Sequence, residues 1–223
     1  MSGFDTGWGG DMVSQLSVQN ITLRPAIAAD VDWAAPLMFA AGPALFSYVF
    51  ASPPEQSQKI LQQAFVCPRH SFSYEFTQVV EVGQQPAGMM LSYSGTRKRQ
   101  ADEKVQSVMA RFLPLRKLPK ILVNVADLTR IKQDVLPEDY YIFSLSVLPE
   151  FQNQGVGTYL LHQAERQAEA SGCRAVCLDV AFTNTRARAL FERHDYRVTC
   201  SKTTERFEQM TRAGGLHRMV KLL

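Results

Sequence analysis

No apolar run in these 223 residues approaches the roughly 18–20 needed to cross a bilayer, so no membrane association is expected. Cysteine is scarce. Cys67, Cys173, Cys177 and Cys200 include no Cys-x-x-Cys pair. Cys173 and Cys177 straddle a loop-to-strand junction, which is poor geometry for a metal; no metal is expected, and the four read as structural or free thiols. A strong charge imbalance is also missing. The formal net charge is +3 and the pI is near 8.7, which is too mild to point to nucleic acid. The first ten residues lack the basic start and apolar stretch of a secretory signal, so the expected location is cytoplasmic. The 46% apolar content is enough for a sizeable core. Residues 1–18, rich in glycine and polar groups apart from Trp8, read as a mobile tail. Residues 19–223 read as one domain.

The chain is organised around residues 140–196. A strand-like run, Tyr140-Tyr-Ile-Phe-Ser-Leu-Ser-Val147, leads through Leu148-Pro-Glu-Phe151 to Gln152-Asn-Gln-Gly-Val-Gly157. A helical pattern to Ser171 follows, then an apolar run from Ala175 to Ala181, Asn184, and a short helical segment from Thr185 to His194. Strand, glycine turn, helix, strand is a βαβ unit. Its glycines lie where a helix begins. Backbone N–H groups there lack internal partners and the helix dipole is positive, so a phosphate can settle where no Cβ blocks it. Gly155 and Gly157 suit an anionic cofactor. Two other phosphate loops are disfavoured. There is no Gly-x-x-x-x-Gly-Lys-Ser/Thr, and Leu160 stands where a dinucleotide loop needs its third glycine.

Gln152-x-x-Gly155-x-Gly157 resembles the Gln/Arg-x-x-Gly-x-Gly/Ala pyrophosphate loop of the GNAT superfamily of N-acetyltransferases. Residues 141–151 resemble that family's fourth strand and its exit. Leu178-x-Val180-x-x-x-Asn184-x-x-Ala187-x-x-Leu190-Phe191-Glu192 resembles its last conserved block. Pro86-Ala-Gly88-Met is similar to the opening of its third strand. The resemblance is strong over 140–198 and topological elsewhere. It implies an α/β (α+β mixed) fold with a central twisted mixed sheet of about six to seven strands flanked by helices.

The remaining chain fits that frame. Ile21-Thr-Leu-Arg24 reads as a first strand. Asp30 is placed to cap a helix carrying Trp33, Leu37 and Met38, with Pro36 expected to kink or delay it. Ser52-Pro-Pro-Glu55 reads as a capping box before a helix with Ile60, Leu61, Ala64 and Phe65 on one face. Residues 72–82 and 87–93 read as strands joined by a hairpin at 83–86. Residues 97–137 are a helical insertion between the third and fourth strands, with apolar stripes at Val105, Val108, Met109 and Phe112 and at Ile121, Leu122, Val125 and Leu128. Its first half is basic, which is either a solvated face or part of a helical lid over the acceptor site that also lends cations to coenzyme phosphates. Residues 196–202 and 216–222 read as a closing strand pair around a Gly214-Gly215 turn.

The resemblance implies acetyl-CoA as acyl donor and an amine of a small molecule or protein as acceptor, joined by direct attack in a ternary complex. It places the pantetheine arm along Leu145, Ser146 and Val147, and the pyrophosphate on Gln152, Asn153, Gln154, Gly155, Val156, Gly157 and Thr158. Asn184, Arg188 and Phe191 would flank the arm. The Val147 N–H would polarise the thioester carbonyl, an effect typically worth ~3–4 kcal/mol. Strand alternation puts Tyr141, Phe143, Leu145 and Val147 on one face and Ser144 and Ser146 on the other. Ser144, Tyr141 and Glu81 are candidates for the base. Many family members carry a tyrosine that protonates the thiolate where this chain has Phe191. That substitution keeps a second reading open, a non-catalytic acyl-CoA sensor. A third, a module using only the basic insertion, predicts salt-sensitive binding. Acceptor identity and oligomeric state, monomer or homodimer, stay open.

Overall fold

The computed structural model describes residues 21–223. The expected tail over 1–18, with Trp8, lies outside the described residues. Among the described residues, seven strands form one sheet: β1 (Ile21–Pro25), β2 (Thr77–Val82), β3 (Gln85–Ser94), β4 (Asp139–Val147), β5 (Ala175–Ala181), β6 (Arg197–Lys202) and β7 (Leu216–Leu222). Their order is β1-β2-β3-β4-β5-β7-β6. Only β4 and β5 run parallel, as a βαβ crossover requires.

Helices cover both faces. On one lie α1 (Val31–Ala41) and α3 (Pro54–Phe65), which pack on Val79, Met89, Leu91, Tyr93 and Tyr141. On the other, α6 (Val156–Ala170) and α7 (Thr185–Arg193) pack on Val80, Met90, Tyr140 and Ile142. Helix α6 buries Val156, Leu160, Leu161, Ala164 and Ala168 on one stripe, the spacing of an amphipathic helix. Leu160 and Leu161 are fully buried, a gain of roughly 1.5–3 kcal/mol each.

The insertion between β3 and β4 forms α4 (Gly95–Met109) and α5 (Leu118–Ile131). Helix α4 packs on β3 and β4, and α5 packs against α2 (Pro43–Val49) and α8 (Glu205–Thr211). Buried polar groups hold α5 there. Asp127 accepts from Tyr48 (2.6 Å) and Thr204 (2.7 Å), and Asn124 donates to the Tyr48 carbonyl (2.6 Å) and accepts from Arg206 (2.8 Å). Beside Asp127, burial and the carboxylate push the Tyr48 phenol up to about 12.

Several local expectations change. Helix α1 starts at Val31 and runs through Pro36. The Asp30 carboxylate makes no cap to α1; it is taken by Arg24 and by the Ile27 N–H. The Ser52 capping box does not form. Helix α3 starts at Pro54 behind Pro53, and the Ser52 hydroxyl donates to the Phe50 carbonyl. Residues 74–76 make a 3-10 turn capped by Ser73, so β2 begins only at Thr77. Helices α2 and α8 were not anticipated, although Pro43 at a helix start and Thr204 capping the Phe207 N–H are recognisable signals.

The largest correction concerns β4. Leu91 pairs with Ser144 and Ser92 with Ile142, so Phe143 is an extra residue, a β-bulge. Alternation reverses there. Tyr141, Ser144 and Ser146 share the α1 face, while Leu145 and Val147 turn to the α6 face with Ile142.

The two ends of the insertion meet. A Cβ added to Gly95 would overlap the Leu136 carbonyl. Gly95→Ala is therefore expected to lower stability by about 1–3 kcal/mol in urea titration. An unchanged midpoint would mean that these ends are not locked together.

Candidate active site

Strands β4 and β5 pair only from Asp139↔Ala175 to Ile142↔Leu178. Beyond that, β4 stays with β3 up to Val147↔Gly88, and β5 stays with β7 up to Ala181↔Leu216. The sheet splits, and a cavity of about 540 Å³ fills the gap. Residues 144–147 of β4 form one wall and 179–181 of β5 the other. Phe46 of α2 and Phe143 close the α1 side, and Gln152, Asn184 and Phe191 line the opposite side.

The Leu148 N–H donates to the Ala87 carbonyl at 2.8 Å. With the β3–β4 register, antiparallel alternation turns the peptide groups of Leu145 and Val147 away from β3, toward the gap. The Val147 carbonyl accepts from Gln152 Nε2 at 3.0 Å, which ties the loop to the strand end. Gly88 lets these strands approach closely; a Cβ there would sit 2.7 Å from the Ser146 carbonyl oxygen.

At the loop, Asn153 has φ +61° and Gly155 φ +83°. Gly155 is the N-cap of α6, and its left-handed backbone explains why glycine stands there. Gly157 serves differently. A Cβ on it would meet Leu190 Cδ2 at 3.3 Å, so it lets α6 approach α7. The first helical bond runs from the Tyr159 N–H to the Gly155 carbonyl (2.9 Å). The amides of Val156, Gly157 and Thr158 precede it and lack helical partners. Gln152 and Thr158 are half-buried beside them, and Asn153 and Gln154 are exposed. Gln154 donates to the Glu150 carbonyl, and Arg186 reaches Asn153 Oδ1 at 2.9 Å. An anion can rest on this open helix start.

The other expected residues divide. Asn184 caps α7, accepting from the Ala187 N–H at 3.2 Å, and also lines the cavity. Phe191 is buried in the α6-side core and lines it too. Arg188 pairs with Glu192 at 2.8 Å on α7, outside the lining. Ser144 is buried, and its hydroxyl has no partner among the described residues. Tyr141 donates to Asp179 Oδ2 at 2.8 Å. Glu81 is not brought to the cavity: it lies on β2, ion-paired with Arg24 at 2.7 Å. The insertion's basic residues are spread along α4 and before α5. Lys98 pairs with Asp102, and Lys117 donates to Ser52 and Gln56.

A charged cluster at the vertex of the split was not anticipated. Asp179 accepts from Arg218 Nε at 2.7 Å and Nη2 at 3.1 Å, with side chains 8% and 6% exposed. Arg218 also donates to the carbonyls of Asp134 (3.2 Å) and Gln133 (2.8 Å). It thereby pins the chain just after α5, where Lys132 faces the cavity. Burial alone would lower the guanidinium pKa, and Asp179 more than reverses that. Burial, aided by Asp179, pushes the Tyr141 phenol well above its usual range. Burial lowers the Lys132 pKa against the pull of Asp179. A lone acid in the apolar run of β5 and a lone arginine in β7 were the available signals, since such charges are buried only when paired.

A family model, the acetyltransferase (GNAT) family, matches residues 46–196. The chain belongs to the GNAT family. Its fold recurs in solved structures. It is similar to a crystal structure described as an acetyltransferase, with 22% identity, TM-score 0.62, and 90% of this chain and 98% of that one covered. An N-acetyltransferase from Staphylococcus aureus Mu50 shares 17% identity, TM-score 0.65, over 90% and 100% of the two chains. A PaiA N-acetyltransferase from Thermoplasma acidophilum, in complex with coenzyme A, shares 11% identity, TM-score 0.50, over 91% and 99%. No curated protein matches the chain. The GNAT fold accounts for the mixed seven-stranded sheet. Among the described residues, no helix is long and apolar enough to cross a membrane, and no group of three or more His, Cys, Asp or Glu side chains is placed to hold a metal ion.

Removing one partner from a buried pair leaves the other charge uncompensated. Arg218→Met is expected to cost about 3–5 kcal/mol by chemical denaturation, and Asp179→Asn combined with it should recover part of the loss. Equal stability of wild type and Arg218→Met would remove the pair from its structural role.

Proposed function

We propose that this GNAT protein transfers the acetyl group of acetyl-CoA to an amine by direct attack in a ternary complex. The observation that carries the reading is the split between β4 and β5, flanked at its mouth by the unpartnered first turn of α6. The pyrophosphate rests on the amides of residues 152–158, with Gly155 supplying the backbone turn. The pantetheine arm lies along Leu145, Ser146 and Val147 and takes the strand position that β5 has left, a form of β-augmentation. Asn184 and Phe191 line its other side, and Arg188, further along α7 and paired with Glu192 outside the lining, would flank it. The Val147 N–H, turned into the gap, donates to the thioester carbonyl. A coenzyme A complex among the structural neighbours is in keeping with this assignment.

Proton transfer falls to water. The titratable side chains lining the cavity are Lys132, Tyr141 and Asp179. Tyr141 already donates to Asp179, and Asp179 is held by Arg218. Ser144 can relay a proton through its hydroxyl. Positioning alone accelerates amine attack on a thioester, so the loss of a tyrosine at Phe191 does not silence transfer. Phe191 nevertheless favours one second reading, a sensor that binds acyl-CoA without turnover.

Isothermal titration with acetyl-CoA, followed by thiol release across a panel of amines, separates these readings. Binding with amine-dependent release is the expected result. Binding without release by any amine would favour the sensor, and no binding would overturn both. Gly157→Glu adds a carboxylate in the first turn of α6, on the side that faces Leu190 and Val147 and next to the amides that would hold the pyrophosphate, where a like charge costs several kcal/mol. It should weaken binding by at least about 100-fold with an unchanged far-ultraviolet circular dichroism spectrum. Unchanged affinity in a folded Gly157→Glu protein would remove the pyrophosphate assignment.

A further inference from the structure

The α1 side of the cavity is apolar, built from Leu37, Phe46 and Phe143 among others, with one cation on its wall. Lys132 follows α5 directly, and the Arg218 bonds to the carbonyls of Gln133 and Asp134 fix the backbone beside it. Its ammonium lies 5.5 Å from the Tyr141 ring centre and 5.2 Å from that of Phe143. Its side chain is 22% exposed.

The Lys132 ammonium has no hydrogen bond among the described residues. Its nearest anion, Asp179, is 4.0 Å away and is already engaged by Arg218 and Tyr141. The charges that act most on Lys132 are those of Asp179, Asp102, Lys98 and Arg218, and they form one group. With Lys132 itself, three cations face two anions. Lys98 and Asp102 pair with each other, as do Arg218 and Asp179. The surplus positive charge is therefore that of Lys132. A buried charge without a hydrogen-bonded partner is costly, and an aromatic cage compensates only in part. Ser144 adds a second unfilled polar group to the same cavity, a buried hydroxyl with no partner among the described residues.

We infer that Lys132 is the anchor for a carboxylate on the acceptor, so that the acceptor is a small amino-acid-like amine with an apolar body, not a polyamine or a neutral amine. The inference rests on the transferase reading for the word acceptor, while the anion subsite stands on the cavity alone. The carboxylate closes the charge surplus, and the apolar part packs on Phe46 and Phe143. A polycation would meet Lys132 as a like charge.

The test is calorimetric titration of the protein, with and without saturating coenzyme A, using matched pairs: phenylalanine against phenylalaninamide, and 3-phenylpropionate against 3-phenylpropanamide. The carboxylates should bind at least about tenfold tighter than the amides. Lys132→Met should remove that preference, and Lys132→Arg should retain it. Equal affinity within both pairs, or no binding by either carboxylate, overturns the proposal. Where transfer is measurable, Lys132→Met should raise KM for phenylalanine about tenfold and leave kcat nearly unchanged. A fall in kcat at constant KM would instead make Lys132 a proton acceptor and overturn the anchor. Failure of acetyl-CoA to bind would sink the transferase reading and leave the carboxylate comparison to decide the subsite independently.

Discussion

The ion pair between Asp179 and Arg218 sits at the point where the sheet divides. Strands β5 and β7 carry one partner each in register, so the pair holds that half of the sheet together as β4 leaves it. The same guanidinium binds the chain that returns from the insertion and sets Lys132 against the cavity. Tyr141, on the departing strand, donates a hydrogen bond to the same carboxylate. One buried pair thus joins β4, β5, β7 and the insertion. Such a pair contributes little net stability over an apolar replacement. Its value is geometric, because the guanidinium N–H groups and both carboxylate oxygens are engaged by specific neighbours.

The second constraint is the Phe143 bulge. One extra residue in β4 reverses which side chains face which layer and turns the strand away from β5. Downstream of it, the peptide groups of Leu145 and Val147 face a gap instead of a strand. The helix that follows presents its free amides at the mouth of that gap, with Gly155 making the turn and Gly157 admitting Leu190. These two departures from regular structure shape the proposed site for an extended, phosphate-bearing ligand.

Much of this was legible because its signals are local. The loop at 152–157, the cap at Asn184 and the apolar runs of β4 and β5 each declare themselves within a few residues, and the β4-α6-β5 unit matches its expected limits closely. The bulge left no local mark, since Phe143 suits a strand in either register, and the face assignment of β4 failed beyond it. The charged cluster was hidden for a different reason. Asp179 and Arg218 are 39 residues apart, and only the sheet order makes them neighbours. Glu81 looked available as a base because its partner Arg24, 57 residues away, cannot be read from periodicity. The insertion was legible as helices but not as the element that delivers Lys132.

The central claim is that the gap beside β4 and the first turn of α6 together receive the coenzyme. Amide hydrogen exchange with and without coenzyme A tests it most directly. The account predicts that coenzyme A slows exchange at Leu145 and Val147 and at residues 155–158, with little change in β1 and β2. Protection confined to the insertion, or unchanged exchange at Val147 and Gly157 under saturating coenzyme, would contradict it.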